Sequence, residues 1–139
     1  MSGQRQGVLI VGQGSRLEDN QRLILRMAEA LRSLNEFGPI VPCFLRICKP
    51  TMLEGLDRLA EEGVEDVYVL PCSLASPIRF PDDVKDKIEW INDEMTLTLR
   101  DKRLVLNPCS PIGCDERLAS VLADRVRSRI ERDELEARI

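Results

Sequence analysis

Gln13 occupies the position in this sequence that is best placed for chemistry. It lies between Gly12 and Gly14, directly after the apolar run 8–11, where a buried strand breaks into a tight turn. The 139-residue chain contains no histidine. A glutamine amide does not titrate near neutral pH and is a weak ligand for transition metals. The sequence therefore indicates a site from which the expected acid–base or metal-binding group is missing.

A glycine-rich turn after a strand is also typical of phosphate-binding loops. Here position 17 is leucine rather than the third glycine of G-x-G-x-x-G, and no Gly-Lys-Ser/Thr sequence follows the turn. A structural interpretation is that Gly12 and Gly14 permit the turn and that Ser15 or Asp19 caps the following helix. This interpretation remains compatible with a binding site at the turn, but no nucleotide cofactor is expected.

The cysteines are the other candidate metal ligands. There are five, an odd number, and no C-x-x-C motif is present, so we expect reduced thiols that pack as small apolar side chains. The alternative is that two or more of them share a metal ion, because four residues separate the members of two pairs. The five are Cys43, Cys48, Cys72, Cys109 and Cys114.

Size and composition predict one domain spanning residues 1–139, in which segments 1–6 and 131–139 either fray or, at the C-terminal end, extend the last helix. Hydrophobic residues make up 43% of the chain and charged residues 32%. No run approaches the roughly 20 apolar residues of a membrane span, and the polar start lacks the core of a signal peptide. We expect a cytoplasmic protein without membrane contact, and the net charge of −4 argues against nucleic acid as a partner.

The elements that position Gln13 are predicted to be four strand-then-helix units. Strands are expected at 8–11, 40–47, 64–70 and 104–106, and their alternation with helices predicts a parallel sheet covered on both faces. Ligands of such sheets bind beyond the carboxyl ends of the strands, here the loops 12–16, 46–49, 71–81 and 107–115. The predicted inward helix faces are Leu23, Met27, Ala30, Leu31 and Leu34; Leu53, Leu56, Leu59 and Ala60; Val84, Ile88, Ile91 and Met95; and Leu118, Val121, Leu122, Val126 and Ile130.

Five segments together resemble one known family. They are Gly-Gln-Gly-Ser-Arg-Leu at 12–17, Lys-Pro-Thr at 49–51, Val-Leu-Pro-Cys-Ser-Leu-Ala at 69–75, Asp-Asp-Val at 82–84 and Ser-Pro-Ile-Gly-Cys-Asp-Glu-Arg-Leu at 110–118. In order and spacing, from about residue 7 to 130, they are similar to the short class II sirohydrochlorin chelatases of anaerobic cobalamin synthesis.

The resemblance implies a three-layer, flavodoxin-like half-size domain of the α/β class, with a four-stranded parallel sheet of order 2-1-3-4. It also implies a homodimer whose two subunits form one cleft for a tetrapyrrole small molecule. Members of the family insert cobalt, nickel or iron into sirohydrochlorin without a nucleotide cofactor, so the divalent metal is a substrate.

The same resemblance identifies three unusual positions. Gln13 and Arg79 stand where the family carries its two histidines, and Arg46 stands where it commonly has an acidic residue. Arginines do not act as bases at neutral pH and repel divalent cations, so the ordinary insertion mechanism should be lost. They do pair with carboxylates, and sirohydrochlorin is a polycarboxylate. The alternative is that Arg46 and Arg79 are ordinary surface residues.

Further candidates for substrate binding are small or acidic residues of the same loops. No residue is assigned as a dedicated metal ligand. Asp82 and Asp83 could substitute as ligands or bases, although an acidic pair at a helix start commonly complements the helix dipole. With Arg46, the substrate-binding candidates are Gly14, Ser15, Ser73, Ser76 and Asp83.

Three functional hypotheses follow. The chain is a tetrapyrrole-binding paralogue that has kept the cleft and lost or weakened metal insertion, which we favour. Alternatively, it is an active sirohydrochlorin chelatase that uses substitute ligands such as Gln13, Asp82, Asp83 or a cysteine. A third hypothesis is a relative by fold alone, with an unrelated anionic ligand or a structural role.

Overall fold

A computed structural model describes residues 5–138, which form one mixed sheet with helices on its faces. Its elements, in chain order, are β1 (Gln6–Gly12), α1 (Glu18–Ser33), β2 (Ile40–Phe44), α2 (Met52–Glu61), β3 (Asp66–Pro71), α3 (Asp82–Lys85), β4 (Ile88–Ile91), β5 (Glu94–Leu99), β6 (Lys102–Pro108) and α4 (Glu116–Ala137).

The sheet has six strands in the order β2-β1-β3-β6-β5-β4. β1 pairs in parallel with β2 and β3, and β3 pairs in parallel with β6, whereas β5 and β4 are antiparallel. The predicted four-stranded parallel sheet is therefore wrong in strand number and in direction at one edge. The parallel part nevertheless keeps the order expected for four successive parallel strands, so the carboxyl ends of β1, β2, β3 and β6 meet at one edge.

The helix predicted from the stripe Val84, Ile88, Ile91 and Met95 is also wrong. Only Asp82–Lys85 is helical, and the chain then forms the β4–β5 hairpin. Asn92 and Asp93 connect the two strands with φ angles of 52° and 64°, the left-handed conformation of a two-residue hairpin turn. Arg100 and Asp101 repeat this turn between β5 and β6, with φ angles of 53° and 61°. Because the two turns favour strands, the helix ends after Lys85, and within the hairpin Ile88 and Met95 still pack against the core.

Helix α2 packs as its sequence predicts. Thr51 caps it: its hydroxyl accepts a hydrogen bond from the Glu54 N–H at 3.2 Å, and its own N–H donates to the Glu54 carboxylate at 2.9 Å. Gly63 follows the helix with a φ of 83°, as expected of a C-terminal cap. The predicted inward residues Leu56, Leu59 and Ala60 are buried in a core cluster with residues of β1, β2 and β3.

The two long helices differ from prediction. α1 buries Ile24 and Ala28, and of the predicted inward residues only Leu31 packs partly against the core. The others, Leu23, Met27, Ala30 and Leu34, are exposed. α4 has no buried residue over its described length, and it continues as a helix through residues 131–137. Apart from Leu31, the apolar stripes of both helices are not the faces that pack on the sheet.

The cysteines are free thiols, of which Cys43 and Cys48 are buried and Cys114 is exposed. Burial raises the pKa of Cys43 to about 12. Between residues 5 and 138, none of the helices is both long and apolar enough to cross a membrane.

Candidate functional site

A cavity of about 190 Å³ opens at the edge where the parallel strands end. The end of β1 contributes Val11 and Gln13, and the residue after β2 contributes Leu45. Most of the remaining wall comes from the segment that follows β3, including Arg79. The fold therefore brings Gln13 and Arg79 to one cavity. The complete lining is Val11, Gln13, Leu45, Pro71, Cys72, Ser73, Ser76, Pro77, Ile78 and Arg79.

The loop after β1 packs closely against the loop after β2 and is hydrogen-bonded to it. Gly14 has a φ of 94°, and a Cβ at this position would lie 1.8 Å from the backbone oxygen of Arg46. Only glycine permits so close an approach. Next to it, the Cys48 thiol donates to the Ser15 carbonyl at 3.0 Å and accepts from the Ser15 N–H at 3.4 Å. Gly14 and Ser15 thus position the Gln13 loop, and neither lines the cavity.

Arg46 occupies a tight turn in the second loop. The Cys48 N–H donates to the Arg46 carbonyl at 2.7 Å, across Ile47, whose φ is 70°. A β-branched residue is strained in this conformation, and its side chain remains 61% exposed. The side chain of Arg46 is itself exposed and is not part of the cavity lining. It lies on the adjacent loop, outside the pair formed by Gln13 and Arg79.

The loop after β3 is held by its own backbone and by the loop after β6. The Ser73 hydroxyl accepts from the Ser76 N–H at 3.1 Å. The Ser73 carbonyl accepts from the Ile112 N–H at 2.9 Å, and the Leu74 carbonyl accepts from the Gly113 N–H at 2.7 Å. Both serines line the cavity as a result.

The cavity carries a positive charge and neutral groups. Arg79 supplies a guanidinium, Gln13 an amide and the serines hydroxyls, and the lining contains no Asp or Glu. Burial raises the pKa of the Cys72 thiol, so this group is protonated at neutral pH. Donors of this kind fit an anionic ligand, for which Arg79 is the natural partner.

Comparison with known proteins identifies the family. The CbiX family profile matches residues 7–129, most of the chain. The chain belongs to the CbiX family.

Two relatives of this CbiX-family chain are named sirohydrochlorin cobaltochelatase. The protein from Methanopyrus kandleri is 27% identical over 139 aligned residues, covering 88% of this chain and 96% of the relative. The protein from Sulfurisphaera tokodaii is 31% identical over 123 residues, covering 86% and 90%.

The crystal structure of a putative cobalamin (vitamin B12) biosynthesis CbiX protein from Marinobacter aquaeolei shows the same fold. Its TM-score is 0.65 at 21% sequence identity, with 94% of this chain and 99% of the other covered.

Some predicted site residues of this CbiX chain lie apart from the cavity. Asp83 is exposed on α3 and, with Asp82, is absent from the lining. Over residues 5–138, no three His, Cys, Asp or Glu side chains form a group that could hold a metal ion. Gln13, Arg79, Ser73 and Ser76 are the candidates that the fold brings together.

The apolar part of the cavity wall was not predicted. Leu45, Pro77 and Ile78 line the cavity next to its polar groups. From sequence alone, apolar residues at such positions are interpreted as the end of a strand or as loop residues that pack on the core. The available signal was their position: Leu45 directly follows β2, and Pro77 and Ile78 lie in the loop after β3, at the edge where ligands of α/β sheets bind.

Proposed function

We propose that this chain is a tetrapyrrole-binding member of the CbiX family that binds sirohydrochlorin or its metallated form and has lost or weakened metal insertion. The observation that carries the proposal is that Gln13 and Arg79 line one cavity at the carboxyl ends of the parallel strands. The names of the relatives support the ligand class.

Binding follows from the chemistry of the lining. The Arg79 guanidinium can pair bidentately with a carboxylate of the macrocycle, and the Gln13 amide and Ser73 hydroxyl can complete its hydrogen bonds. Leu45 and Ile78 offer apolar contact to the face of the ring. Arg46, exposed on the neighbouring loop, could pair with a second carboxylate of a ligand larger than the cavity.

Weak insertion follows from the same groups. Metallation releases the two pyrrole N–H protons, so a base must accept them while a divalent cation approaches the ring. Gln13 does not titrate, Arg79 is permanently protonated, and the Cys72 pKa is raised. The positive charge of Arg79 also opposes an approaching cation.

We further propose a homodimer, as the family resemblance implies, in the cytoplasm. The cavity of about 190 Å³ is smaller than the roughly 300–1,000 Å³ typical of pockets for drug-sized ligands. A tetrapyrrole therefore extends beyond it, and a second copy could cover the exposed part.

The alternative function is an active chelatase with a substitute group. Cys72 favours it, because its thiol lies in the same cavity as Gln13. When deprotonated, it could serve as a base or as a metal ligand.

Titration with sirohydrochlorin, followed by visible absorbance, tests binding at micromolar protein. A saturable spectral change supports the proposal; its absence contradicts both the binding protein and the chelatase and favours an unrelated anionic ligand. Addition of Co²⁺, Ni²⁺ or Fe²⁺ then tests the reaction. Insertion no faster than in the protein-free control is expected, and clear acceleration would establish the active chelatase instead.

A further inference from the structure

Cys48 lies where two loops of the cavity edge meet. It follows β2 in the segment that carries Leu45 and Arg46, and its side chain is 7% exposed. It packs in the core cluster that contains Ile24 and Ala28 of α1. A buried free cysteine commonly serves only as a small apolar side chain. This one also makes polar contacts, and neither the proposed binding nor the insertion chemistry uses them.

The thiol contacts both backbone polar groups of one residue in the neighbouring loop. Cys48 Sγ donates to the Ser15 carbonyl at 3.0 Å and is the acceptor that the structure gives to the Ser15 N–H, at 3.4 Å. The Ser15 carbonyl also accepts from the side-chain amide of Gln21 at 3.3 Å. Ser15 is two residues from Gln13, so this contact fixes the path of the loop on which Gln13 lies.

The backbone of Cys48 closes its own loop. Its N–H donates to the Arg46 carbonyl at 2.7 Å, across Ile47, whose φ is 70°. A β-branched residue is unfavourable in the left-handed region, so this conformation persists only where surrounding contacts hold it. The Ile47 side chain is 61% exposed. The buried neighbour, Cys48, is therefore the anchor of the turn.

Both loops that Cys48 holds contribute to the cavity wall. Gln13 comes from the first loop and Leu45 from the second. The Leu45 N–H donates to the Gly12 carbonyl at 3.0 Å, and Gly14 packs on the Arg46 backbone. Because the two loops are in contact at several points, a shift of one changes the position of the other and of the lining that both carry.

We infer that Cys48 is a positioning residue of the binding site: its thiol holds the Gln13 loop and the Leu45 loop in one arrangement before the ligand binds. It acts through the Ser15 backbone and does not touch the ligand. This inference rests on the proposed function for the identity of the ligand. Loops that are already ordered increase affinity, because the binding-competent arrangement is fully populated in the free protein.

Hydrogen exchange of the Ser15 amide, followed by NMR on the full chain without ligand, tests the contact itself. Cys48→Ala removes the acceptor, so exchange should become at least about tenfold faster. Cys48→Ser keeps a group that can both donate and accept and should retain most of the protection. Cys48→Val, which keeps apolar bulk without the hydrogen bonds, tests the same contact if Cys48→Ala folds poorly.

The matched control is Cys43→Ala. Cys43 is also a buried cysteine, but it lies in the other core cluster, with residues of α2. Its replacement should leave the exchange rate of the Ser15 amide unchanged even where it lowers the Tm. Unchanged Ser15 exchange in both Cys48→Ala and Cys48→Val would overturn the inference, whether or not the protein binds sirohydrochlorin.

Titration with sirohydrochlorin, followed by visible absorbance, tests the effect on the site. Cys48→Ala should raise the Kd about three- to tenfold, because the competent arrangement is then only partly populated. Cys48→Ser should recover most of the affinity, and Cys43→Ala should bind as the wild-type protein does. In a Gln13→Ala background the effect of Cys48→Ala should be smaller, since the contact that the loop positions has already been removed.

The outcomes separate the two proposals. An unchanged Kd in Cys48→Ala, together with faster Ser15 exchange, would show that the thiol holds the loop without preparing the site and would overturn the inference. Equal effects of Cys48→Ala with and without Gln13 would contradict positioning through that loop. A wild-type protein that binds no sirohydrochlorin would overturn the proposed function, while the exchange rates would still decide whether Cys48 orders the loop.

Discussion

Gln13 and Arg79 line the same cavity, although one follows β1 and the other lies well beyond β3. Parallel pairing of β1 with β3 brings the two loops to one edge of the sheet. The pair joins a neutral amide to a permanent cation, so the two residues can bind an anion together but cannot accept its protons.

Replacing Gln13 alone should not restore metal insertion. Gln13→His supplies one base or ligand, but Arg79 still lines the cavity and its positive charge repels a divalent cation. We expect rates near the protein-free control for Gln13→His and a clear increase only for the Gln13→His/Arg79→His double variant. Visible absorbance with sirohydrochlorin and Co²⁺ measures both rates. Full activity from the single variant would contradict the role given to Arg79.

Removing the guanidinium should weaken tetrapyrrole binding. A hydrogen bond to a charged group contributes about 1.5–3 kcal/mol, so Arg79→Ala should raise the Kd roughly 10- to 100-fold. Arg79→Lys should recover part of the loss, because it keeps the charge without the planar fork. The control is Arg103→Ala, at the far end of β6 from the cavity. Equal Kd values for Arg79→Ala and the wild-type protein would mean that Arg79 does not contact the ligand.

Comparing alanine substitutions at two glycines with positive φ should separate the stability cost of a steric overlap from the cost of a left-handed backbone. Gly113 has a φ of 68°, and a Cβ at this position would meet only the Pro111 oxygen, at an ordinary contact distance of 3.9 Å, so Gly113→Ala should cost about 1–2 kcal/mol from the left-handed backbone alone. Gly14→Ala adds an overlap with the Arg46 oxygen, and overpacking costs roughly another 1–3 kcal/mol. Urea unfolding measures both variants. Equal losses would argue that the Arg46 loop moves freely away from Gly14.

The Cys72 thiol should react slowly at pH 8. Burial raises its pKa above the ordinary value of about 8.5, so the thiolate fraction is small and increases only at more alkaline pH. Alkylation with iodoacetamide, located by peptide mass spectrometry, should modify the exposed Cys114 first. Bound sirohydrochlorin should slow the modification of Cys72 further. A Cys72 that reacts as fast as Cys114 would contradict the burial of its thiol.

The ion pair between Asp57 and Arg100 should contribute a pH-dependent part of the stability. The guanidinium donates to both carboxylate oxygens, at 2.6 and 2.9 Å, and lowers the pKa of Asp57. Its contribution is therefore fully present above the unfolded value of about 3.9 and is lost as the pH falls through the lower folded value. Asp57→Asn should lower the Tm slightly at pH 7, and this difference should disappear in acid. Both groups are substantially exposed, so the shift at pH 7 should be small.

Local patterns predicted part of the fold and of the site. The buried face of α2 and the glycine turn around Gln13 depend on neighbours in sequence, so the sequence identifies them. The loops at the strand ends were predicted from the order of elements, and four candidate residues meet there. The apolar wall of the cavity and the place of Arg46 outside it depend on loop paths that no local pattern specifies.

The sequence by itself determined the alternation of strands and helices from β1 to β3, the extent of the chain over which the family resemblance holds, and the absence of histidine. Only the tertiary structure decided that 88–99 is a hairpin, that α1 buries Ile24 and Ala28, and that α4 stands clear of the sheet. The reason is that the spacing of apolar residues indicates which side chains are suited to burial, but not which surface will cover them. That depends on surfaces contributed by distant segments of the chain.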